Sequence, residues 1–396
     1  MSESLCHIVM AVANNTYPSD VRVRNEALTL VNEGYKVTVV APRGSAQSAQ
    51  ETVDGVHVLR YNLPTFGQDK LAYVFEFMYV TLVTMLLVTK LWLSENFDVL
   101  HVHNPPDTLF FAGIVPRLFG KKFVFDHHDL APELFLAKYE TKGVVYSALC
   151  LLERLSCQLA THVITVNESY KANDVSRNKK RAEDIVVVRN GPHLNHLELP
   201  EPDPELRQKA SILFGYLGHI SKQDGVDHLI QALYHLKNDF DYDDWFCVII
   251  GPADDLEPLT TLAQDLELSE KILFTGFLPD TKWRKALASV DICVVPDPEN
   301  SLNEKSTMIK LMEYMALGKA TVAYDMTENR FSGGDATLYA QASDPVDLAR
   351  QFSNLVHDEQ LRAKLGEKGR ARIRASLAWE FSAEQLVGLY KRICGE

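Results

Sequence analysis

Short apolar runs rich in β-branched residues alternate with amphipathic stretches along this chain of 396 residues. In the first half, runs at 6–13, 35–41, 97–103, 122–126, 162–166 and 185–189 read as buried strands, and 21–33 and 108–119 carry helical periodicity. The second half repeats the scheme, with strands at 212–217, 245–250, 272–275, 292–295 and 320–324. Its helices fall at 226–237, 256–266, 281–288 and 346–355. Strands that are apolar throughout, rather than alternating, belong to parallel sheets covered by helices on both faces. The run LPEPD at 199–203 breaks the pattern with two prolines and predicts a linker. The expectation is an α/β protein of two doubly wound parallel-sheet domains, 1–198 and 204–377, facing a cleft. Ligands of such folds sit at the carboxyl ends of the strands. The amphipathic stretch 379–393 predicts a last helix within 378–396.

Composition narrows the chemistry. Apolar residues make up 46% and charged residues 23% of the chain, an ordinary globular balance. The formal charge of −13 argues against nucleic acid as a partner. Residues 1–198 hold 19 Lys/Arg against 21 Asp/Glu, and the rest hold 21 against 32, so only the first half approaches an anionic surface cheaply. Cys6, Cys150, Cys157, Cys247, Cys293 and Cys394 show neither C-x-x-C nor zinc spacing, and suit a reducing, cytoplasmic setting. Residues 6–13 already read as a strand, so no leader segment is expected. No G-x-G-x-x-G follows the first strand and no Walker lysine loop is present, which argues against nicotinamide and P-loop sites. The acidic run Asp239, Asp241, Asp243 and Asp244 lacks an EF-hand glycine and reads as a solvated turn. No metal and no cofactor are expected.

The segment from Pro296 to Asp325 reads as strand end, polar loop, short helix, glycine stop and strand. Ser306 is placed to cap the helix, and Gly318 to end it in a left-handed turn. The residues between are nearly all apolar, so the helix is buried, and Lys310 and Glu313 break it on one face. A cation in the first turn opposes the helix dipole unless an anion is near, and bare N–H groups at a helix start bind phosphate. Glu313, one turn deeper, suits sugar hydroxyls. The alternative is a surface ion pair worth about 0.2–0.5 kcal/mol.

The string STMIKLMEYMALGK at 306–319 resembles the donor-binding motif of retaining family 4 glycosyltransferases, which have the GT-B fold. That fold has two Rossmann-like domains and a C-terminal helix that crosses back onto the first. The wording is similar to a branch that builds bacterial surface polysaccharides, and the likeness runs patchily over nearly the whole chain. It implies that Glu313 binds the ribose hydroxyls of a nucleotide sugar. Ser306, Thr307, Met308 and Ile309 then present N–H groups to the diphosphate, and Lys310 supplies a catalytic cation. The family's first glutamate falls at Lys305, and the nearest acid, Glu304, is taken as its catalytic replacement. GYLGHISKQDG at 215–225 resembles the family's glycine-rich turn, with Gly218 as the glycine of close approach. Where many members carry an arginine and a lysine this chain has His219 and Asp224, which leaves Lys222, Lys305 and Lys310 to face the diphosphate.

In the first domain five predicted strands end in polar residues: Asn14 and Asn15; His103 and Asn104; His127, His128 and Asp129; Asn167 and Glu168; Asn190 and Gly191. Polar groups gathered at one crevice suit a binding site. FDHHDLAPE at 125–133 resembles the family segment that places a histidine beside the donor sugar, which implies a catalytic position for His128; a structural histidine is the alternative. His103 in HVHN resembles a second family position. NNTYPSDVRVR at 14–24 resembles the polysaccharide branch; Asp20 is placed to cap the first helix. Arg22 and Arg24 in its first turns either meet an acceptor phosphate or are solvated. The acceptor is thus expected at Asn14, Asn15, Arg22, Arg24, His103 and Asn104.

These readings together imply metal-independent transfer of a sugar, with retention, from a UDP- or GDP-sugar to a hydroxyl of a glycan or polyprenyl diphosphate-linked acceptor. The first domain offers no well-placed carboxylate nucleophile, which fits the front-face mechanism the resemblance implies. A sugar-nucleotide epimerase on the same fold and a non-catalytic partner subunit are the rivals. The stretch 71–93 carries only Glu76 and Lys90 as charges, and its uncharged run 77–89 falls short of the roughly 20 residues a span needs. It is either a core helix of the first domain or a helix lying in a membrane interface. In the second case Tyr73, Phe75, Tyr79 and Trp92 sit at the boundary, and Arg117, Lys121 and Lys122 attract anionic lipid. That reading makes the protein peripheral, and salt-sensitive, at the inner face of a membrane.

Overall fold

The computed structural model describes residues 6–64 and 70–395. The chain divides into two compact units, Met1–Arg189 with Ser382–Glu396, and Asn190–Phe381.

Among the described residues the first unit has eight strands: β1 (His7–Ala11), β2 (Lys36–Pro42), β3 (Gln50–Val53), β4 (Val56–Tyr61), β5 (Val99–His103), β6 (Lys122–His127), β7 (His162–Thr165) and β8 (Ile185–Val187). Their order is β3-β4-β2-β1-β5-β6-β7-β8. Neighbours run parallel except β3 and β4, which form an antiparallel hairpin. The sequence reading left that hairpin out. Its signal is the Asp54-Gly55 pair, whose φ angles of 51° and 83° suit a tight hairpin turn.

Helices α1 (Val21–Asn32), α2 (Lys70–Glu95), α3 (Phe111–Leu118), α4 (Ala131–Tyr139), α5 (Val144–Leu159) and α6 (Glu168–Ser176) cover this sheet. Asp20 caps α1 by accepting from the Val23 N–H, as its position predicts. Asn167, read as a strand-end site residue, is the N-cap of α6 and accepts from the Tyr170 N–H. The helical stretch expected from Thr108 opens as a tighter turn, Asp107–Phe110. Val80, Val88 and Leu91 of α2, Phe110, and Cys157 of α5 share one core with Val9, Leu100 and Phe125 of the sheet. The stretch read at 71–93 is thus a core helix along one stripe only, with Phe75, Met78, Leu82 and Leu86 exposed on its outer face. The side chain of Tyr73, counted above as a boundary aromatic, lies outside the described residues.

The second unit has six parallel strands in the order β11-β10-β9-β12-β13-β14. They are β9 (Ile212–Leu217), β10 (Trp245–Ile250), β11 (Ile272–Gly276), β12 (Ile292–Val295), β13 (Ala320–Tyr324) and β14 (Thr337–Ala340). Around them lie α7 (Pro204–Arg207), α8 (Val226–Asn238), α9 (Glu257–Asp265), α10 (Asp280–Ser289), α11 (Ile309–Ala316), α12 (Thr327–Gly333), α13 (Pro345–Val356) and α14 (Glu359–Arg372).

The chain passes between units at Arg189–Asn190, ahead of the proline-rich run at 199–203 read as the linker. Residues 195–203 are held to the second unit instead. Arg284 donates to the His196 and Glu198 carbonyls at 3.0 and 2.8 Å, and the Asp203 N–H donates to Ser289 Oγ at 2.7 Å.

Helix α15 (Trp379–Cys394) belongs to the first unit from Ser382 onward. Its Tyr390 is fully buried against Tyr35, with its hydroxyl 2.8 Å from His101 Nδ1. Cys394 at its end forms a disulfide with Cys6, while Cys150, Cys157, Cys247 and Cys293 are free. The two paired cysteines stand 388 positions apart, so no spacing rule exposes them; the return of α15 to the start of the chain makes the pair.

Candidate active site

In the second unit the candidate site lies beyond the carboxyl ends of β9 and β12, neighbours in the sheet. A cavity of about 340 Å³ opens there, with Gly218, Asp224, Asp297, Thr307, Lys310 and Glu313 in its wall. Gly218 has φ +153°, and a Cβ there would lie 3.1 Å from the Tyr216 hydroxyl and 3.2 Å from Lys310 Cε. Glycine is what lets the chain pass so close to that lysine.

Helix α11 begins two residues later than Ser306 predicts. Its N-cap is Met308, no side chain caps it, and the Ser306 hydroxyl turns back to the Leu302 carbonyl at 2.9 Å. The first-turn N–H groups are therefore left without a side-chain acceptor beside the cavity, the arrangement that suits an anion. Gly318, at φ +67°, ends the helix as expected.

Lys310 is the hub of the site. Its ammonium donates to Asp297 Oδ1 at 2.9 Å and to the Tyr216 hydroxyl at 3.1 Å, and lies 3.6 Å from Asp224 Oδ1. It also sits 4.6 Å from the centre of the Tyr216 ring. Burial works against the charge, but Asp297, Tyr216 and Asp224 outweigh it and hold the ammonium above the ordinary lysine range. Burial pushes the Asp297 carboxyl up against the pull of Lys310. The Glu313 carboxyl is pushed up to about 7, first by burial and then by Asp280, with Lys310 and Arg284 opposing. Asp224, read only as a lost cation, also accepts from the Ser221 hydroxyl at 2.6 Å and so fixes the turn that follows β9. The acidic pair around Lys310 was missed because Asp224 lies on a distant segment, and Asp297, although in the same stretch as Lys310, meets it only through the fold of the intervening loop.

Four expected donor contacts do not line this cavity. His219 is exposed and pairs with Asp254 at 2.7 Å, and Lys222 is exposed in the turn Lys222–Asp224. Glu304, taken as the replacement for the family's first glutamate, accepts from the Thr327 hydroxyl and N–H at the start of α12. Lys305, beside it, is also absent from the wall.

In the first unit the polar residues at the ends of β5 and β6 gather around Asp126. Arg22 grips this carboxylate with Nε at 2.6 Å and a terminal nitrogen at 2.7 Å, donates to the Val188 carbonyl, and lies 3.1 Å from Glu26. His103 Nδ1 is 2.8 Å from the same carboxylate, and His128 Nδ1 is 3.4 Å away. Arg22 and His103, read as acceptor contacts, are thus buried and committed to the interior. Asn104 is likewise a staple: it donates to Asp107 and to the Asp129 carbonyl, and accepts from the His128 and Asp129 N–H groups. It fixes the turn that carries His128. Of the expected acceptor residues, Asn14 and Asn15 remain exposed and Arg24 half-buried.

The electrostatics follow from burial. Burial raises the Asp126 carboxyl, but Arg22 and then His128 outweigh it and hold it well below the carboxylate range. Burial disfavours charge on His128, and Asp126 overcomes this, so its pKa is raised. Burial drives Glu26 well above the carboxylate range and His101 well below the histidine range. Glu26 faces His101 Nε2 at 3.7 Å and His103 Nε2 at 4.0 Å. Glu26, His101, His103 and Asp126 are ligand-type side chains within one another's reach, but Arg22 already supplies the cation among them. A second buried network, unsuspected from sequence, joins His127 to Asp174 at 2.8 Å and Arg177 to Glu133 and Glu153 at 2.7 and 2.6 Å.

Two α/β units of mainly parallel strands, one carrying a lysine and a glutamate on an uncapped helix, define a doubly wound two-domain protein with its candidate site at strand ends. Residues 19–191 match the family described as glycosyl transferase 4-like domain, and residues 200–372 match glycosyl transferases group 1. The chain belongs to the glycosyltransferases, as a GT-B protein of the family 4 type. It is 22% identical to the capsular polysaccharide biosynthesis glycosyltransferase CapM of Staphylococcus aureus, over 64% of this chain and 68% of that one. In fold it is similar to the sucrose-phosphate synthase of Thermosynechococcus elongatus, with a TM-score of 0.79, 16% identity, and coverage of 98% of this chain and 99% of that one. It is also similar to Anabaena HepE in complex with UDP-glucose, with a TM-score of 0.69, 15% identity, and coverage of 98% and 100%.

Proposed function

We propose that this glycosyltransferase moves a sugar, with retention, from a UDP- or GDP-sugar to a hydroxyl of a glycan or polyprenyl diphosphate-linked acceptor. Its place is polysaccharide biosynthesis at the cytoplasmic face of a membrane. The observation that carries the donor side is the uncapped start of α11, with Lys310 and Glu313 opening on one cavity. The likeness to CapM favours a polysaccharide product, and that to the HepE complex favours a nucleotide-sugar donor.

On this reading the diphosphate lies against the first N–H groups of α11 and takes the Lys310 ammonium from Asp297 and Asp224. Glu313 accepts from the ribose hydroxyls, and Gly218 admits the phosphates close to the backbone. The acceptor oxygen attacks the anomeric carbon on the face the diphosphate leaves. The acceptor proton passes to the departing phosphate oxygen, giving a glycoside and a nucleoside diphosphate. Charge building on that leaving group is met by donors already in place. His128, held by Asn104 and Asp126, bonds a sugar hydroxyl. Divalent metal is not required: activity is expected to survive EDTA, and loss restored by magnesium or manganese contradicts this.

The reading is tested by supplying purified protein with radiolabelled UDP- and GDP-sugars and a lipid extract, and following the product's anomeric configuration. Conversion of donor alone into an epimeric nucleotide sugar supports the epimerase instead. Nucleotide-sugar binding with no turnover supports a partner subunit.

Glu313 gives a pH signature. With its pKa at about 7, nucleotide affinity is expected to rise between about pH 6 and 8, as the carboxyl ionises and accepts the ribose hydroxyls. Glu313→Gln removes that rise, and titrating one nucleotide against both proteins cancels the ligand's own ionisation. Identical pH profiles would remove Glu313 from the site. For stability the sign is opposite: a raised carboxyl favours the folded state in acid, and that contribution is lost as pH climbs through about 7.

A further inference from the structure

On the outer face of α2, Phe75, Met78, Leu82, Leu86 and Leu93 recur at nearly helical spacing, and each is more than half exposed. From Phe75 to Leu93 this stripe runs about 27 Å. The opposite stripe, with Val80, Val88 and Leu91, belongs to the unit's core. The apolar surface continues onto the end of α3, where Leu118 and Phe119 are 78% and 66% exposed and the Phe119 ring packs 4.7 Å from Trp92. α5, which shares the same core, exposes Val144 and Leu151. Lys90, Arg117 and Lys122 are exposed where α2 and α3 run out. Glu95, at the end of α2, is neutralised by Lys36 at 2.6 Å.

A helix facing water ordinarily puts charge on its outer face, yet α2 carries none between Phe77 and Thr89. Its uncharged run is shorter than a span, but the whole helix, from Val74 to Glu95, is long and apolar enough to be a candidate for crossing a bilayer. Crossing would tear Val80, Val88 and Leu91 out of the core, so the helix stays on its unit and offers only its outer stripe. A second copy of this face presents the same basic rim, so charge complementarity does not favour it as the occupant. An anionic lipid surface instead matches both the apolar stripe and the basic rim.

We propose that the outer faces of α2, α3 and α5 dock on the headgroup boundary of an anionic bilayer, with α2 in its plane and Leu118 and Phe119 entering the acyl layer. This deepens, and rests on, the reading of a membrane-borne acceptor. It places the docking cations at the amino-terminal edge of the sheet, at Lys122 of β6, and His128 beyond the opposite edge.

The test is flotation of the full chain with phosphatidylcholine vesicles, with and without phosphatidylglycerol, at low and high salt. The protein is expected to float only with the anionic vesicles and to be released by salt. Leu82→Glu with Leu86→Glu is expected to lower the bound fraction at least tenfold, and Arg117→Glu about fivefold or more. These side chains are exposed, so unchanged melting curves confirm folding of the variants. A wild type that stays at the bottom, variants that float as well as it does, or a lipid-free dimer that the double variant splits would each overturn the docking face. Sugar transfer to a water-soluble acceptor without vesicle binding sinks the docking alone. Vesicle binding with no nucleotide sugar consumed sinks the transfer reading and leaves the docking standing.

Discussion

Replacing Arg22 with alanine is expected to destabilise the first unit by about 3–5 kcal/mol, the cost of stranding a buried charge. Arg22 is 6% exposed, and both its partners, Asp126 and Glu26, are fully buried. Its removal takes away two charge-assisted bonds to Asp126 and leaves that carboxylate with His103 and His128 alone. The pH dependence identifies the cause. In the wild type the depressed Asp126 contributes stability that is present above its unfolded pKa and is lost as pH falls through its lower folded pKa. In the variant the Asp126 pKa climbs, the folded state takes up a proton, and the deficit narrows between neutral pH and about pH 5. Denaturant unfolding of both proteins at the two pH values measures this. A deficit below about 1 kcal/mol, or one independent of pH, would show that Arg22 is a surface residue after all. The same experiment separates the sequence reading of Arg22 as an acceptor contact from the structural one, because an acceptor contact predicts lost activity at unchanged stability.

Lys310→Ala is expected to lower turnover by about a hundredfold or more in protein that still folds. Removing a fixed donor from the site of developing charge costs roughly 2.7–4 kcal/mol. The change leaves Asp297 buried without its cation, so some stability is lost along with the activity, and turnover is compared only in protein shown to be folded. Lys310→Arg does not restore activity on this view: the ammonium sits between Asp297, the Tyr216 hydroxyl and the Tyr216 ring, where a planar fork does not fit. Turnover of Lys310→Ala within a few-fold of wild type removes the diphosphate from α11. An arginine variant at full rate leaves the diphosphate there and removes the geometric part of the argument.

The part of the candidate site proposed for the donor was legible because it is local. Lys310 and Glu313 share one short helix, and their anomaly, charges on a buried face, shows in a single stretch of sequence. What surrounds Lys310 was not legible. Tyr216 and Asp224 come from β9 and the turn after it, and Asp297 from the end of β12, two segments that the neighbouring positions of β9 and β12 bring together. The helix start was read two residues early because Ser306 is a good capping residue by type, yet its hydroxyl is spent on Leu302. The acceptor half misled for the opposite reason. Arg22, His103 and Asn104 are polar residues at strand ends, which in sequence look the same whether they face solvent or one another.

By itself the sequence determined the periodic part of this protein. Apolar strands and amphipathic helices in alternation specify two parallel α/β sheets, because burial on both faces leaves its mark on every residue of a strand. It also determined the glycine end of α11 and the cap of α1, where one residue and its own backbone settle the geometry. The tertiary structure alone decided everything that depends on which distant segments meet. It joined Cys6 to Cys394, set Tyr390 against His101, buried Arg22 on Asp126, and left one side of α2 uncovered. The physical reason is that hydrophobic burial is non-directional and shows in local pattern, whereas an ion pair, a disulfide or an uncovered face depends on partners that lie far away along the chain.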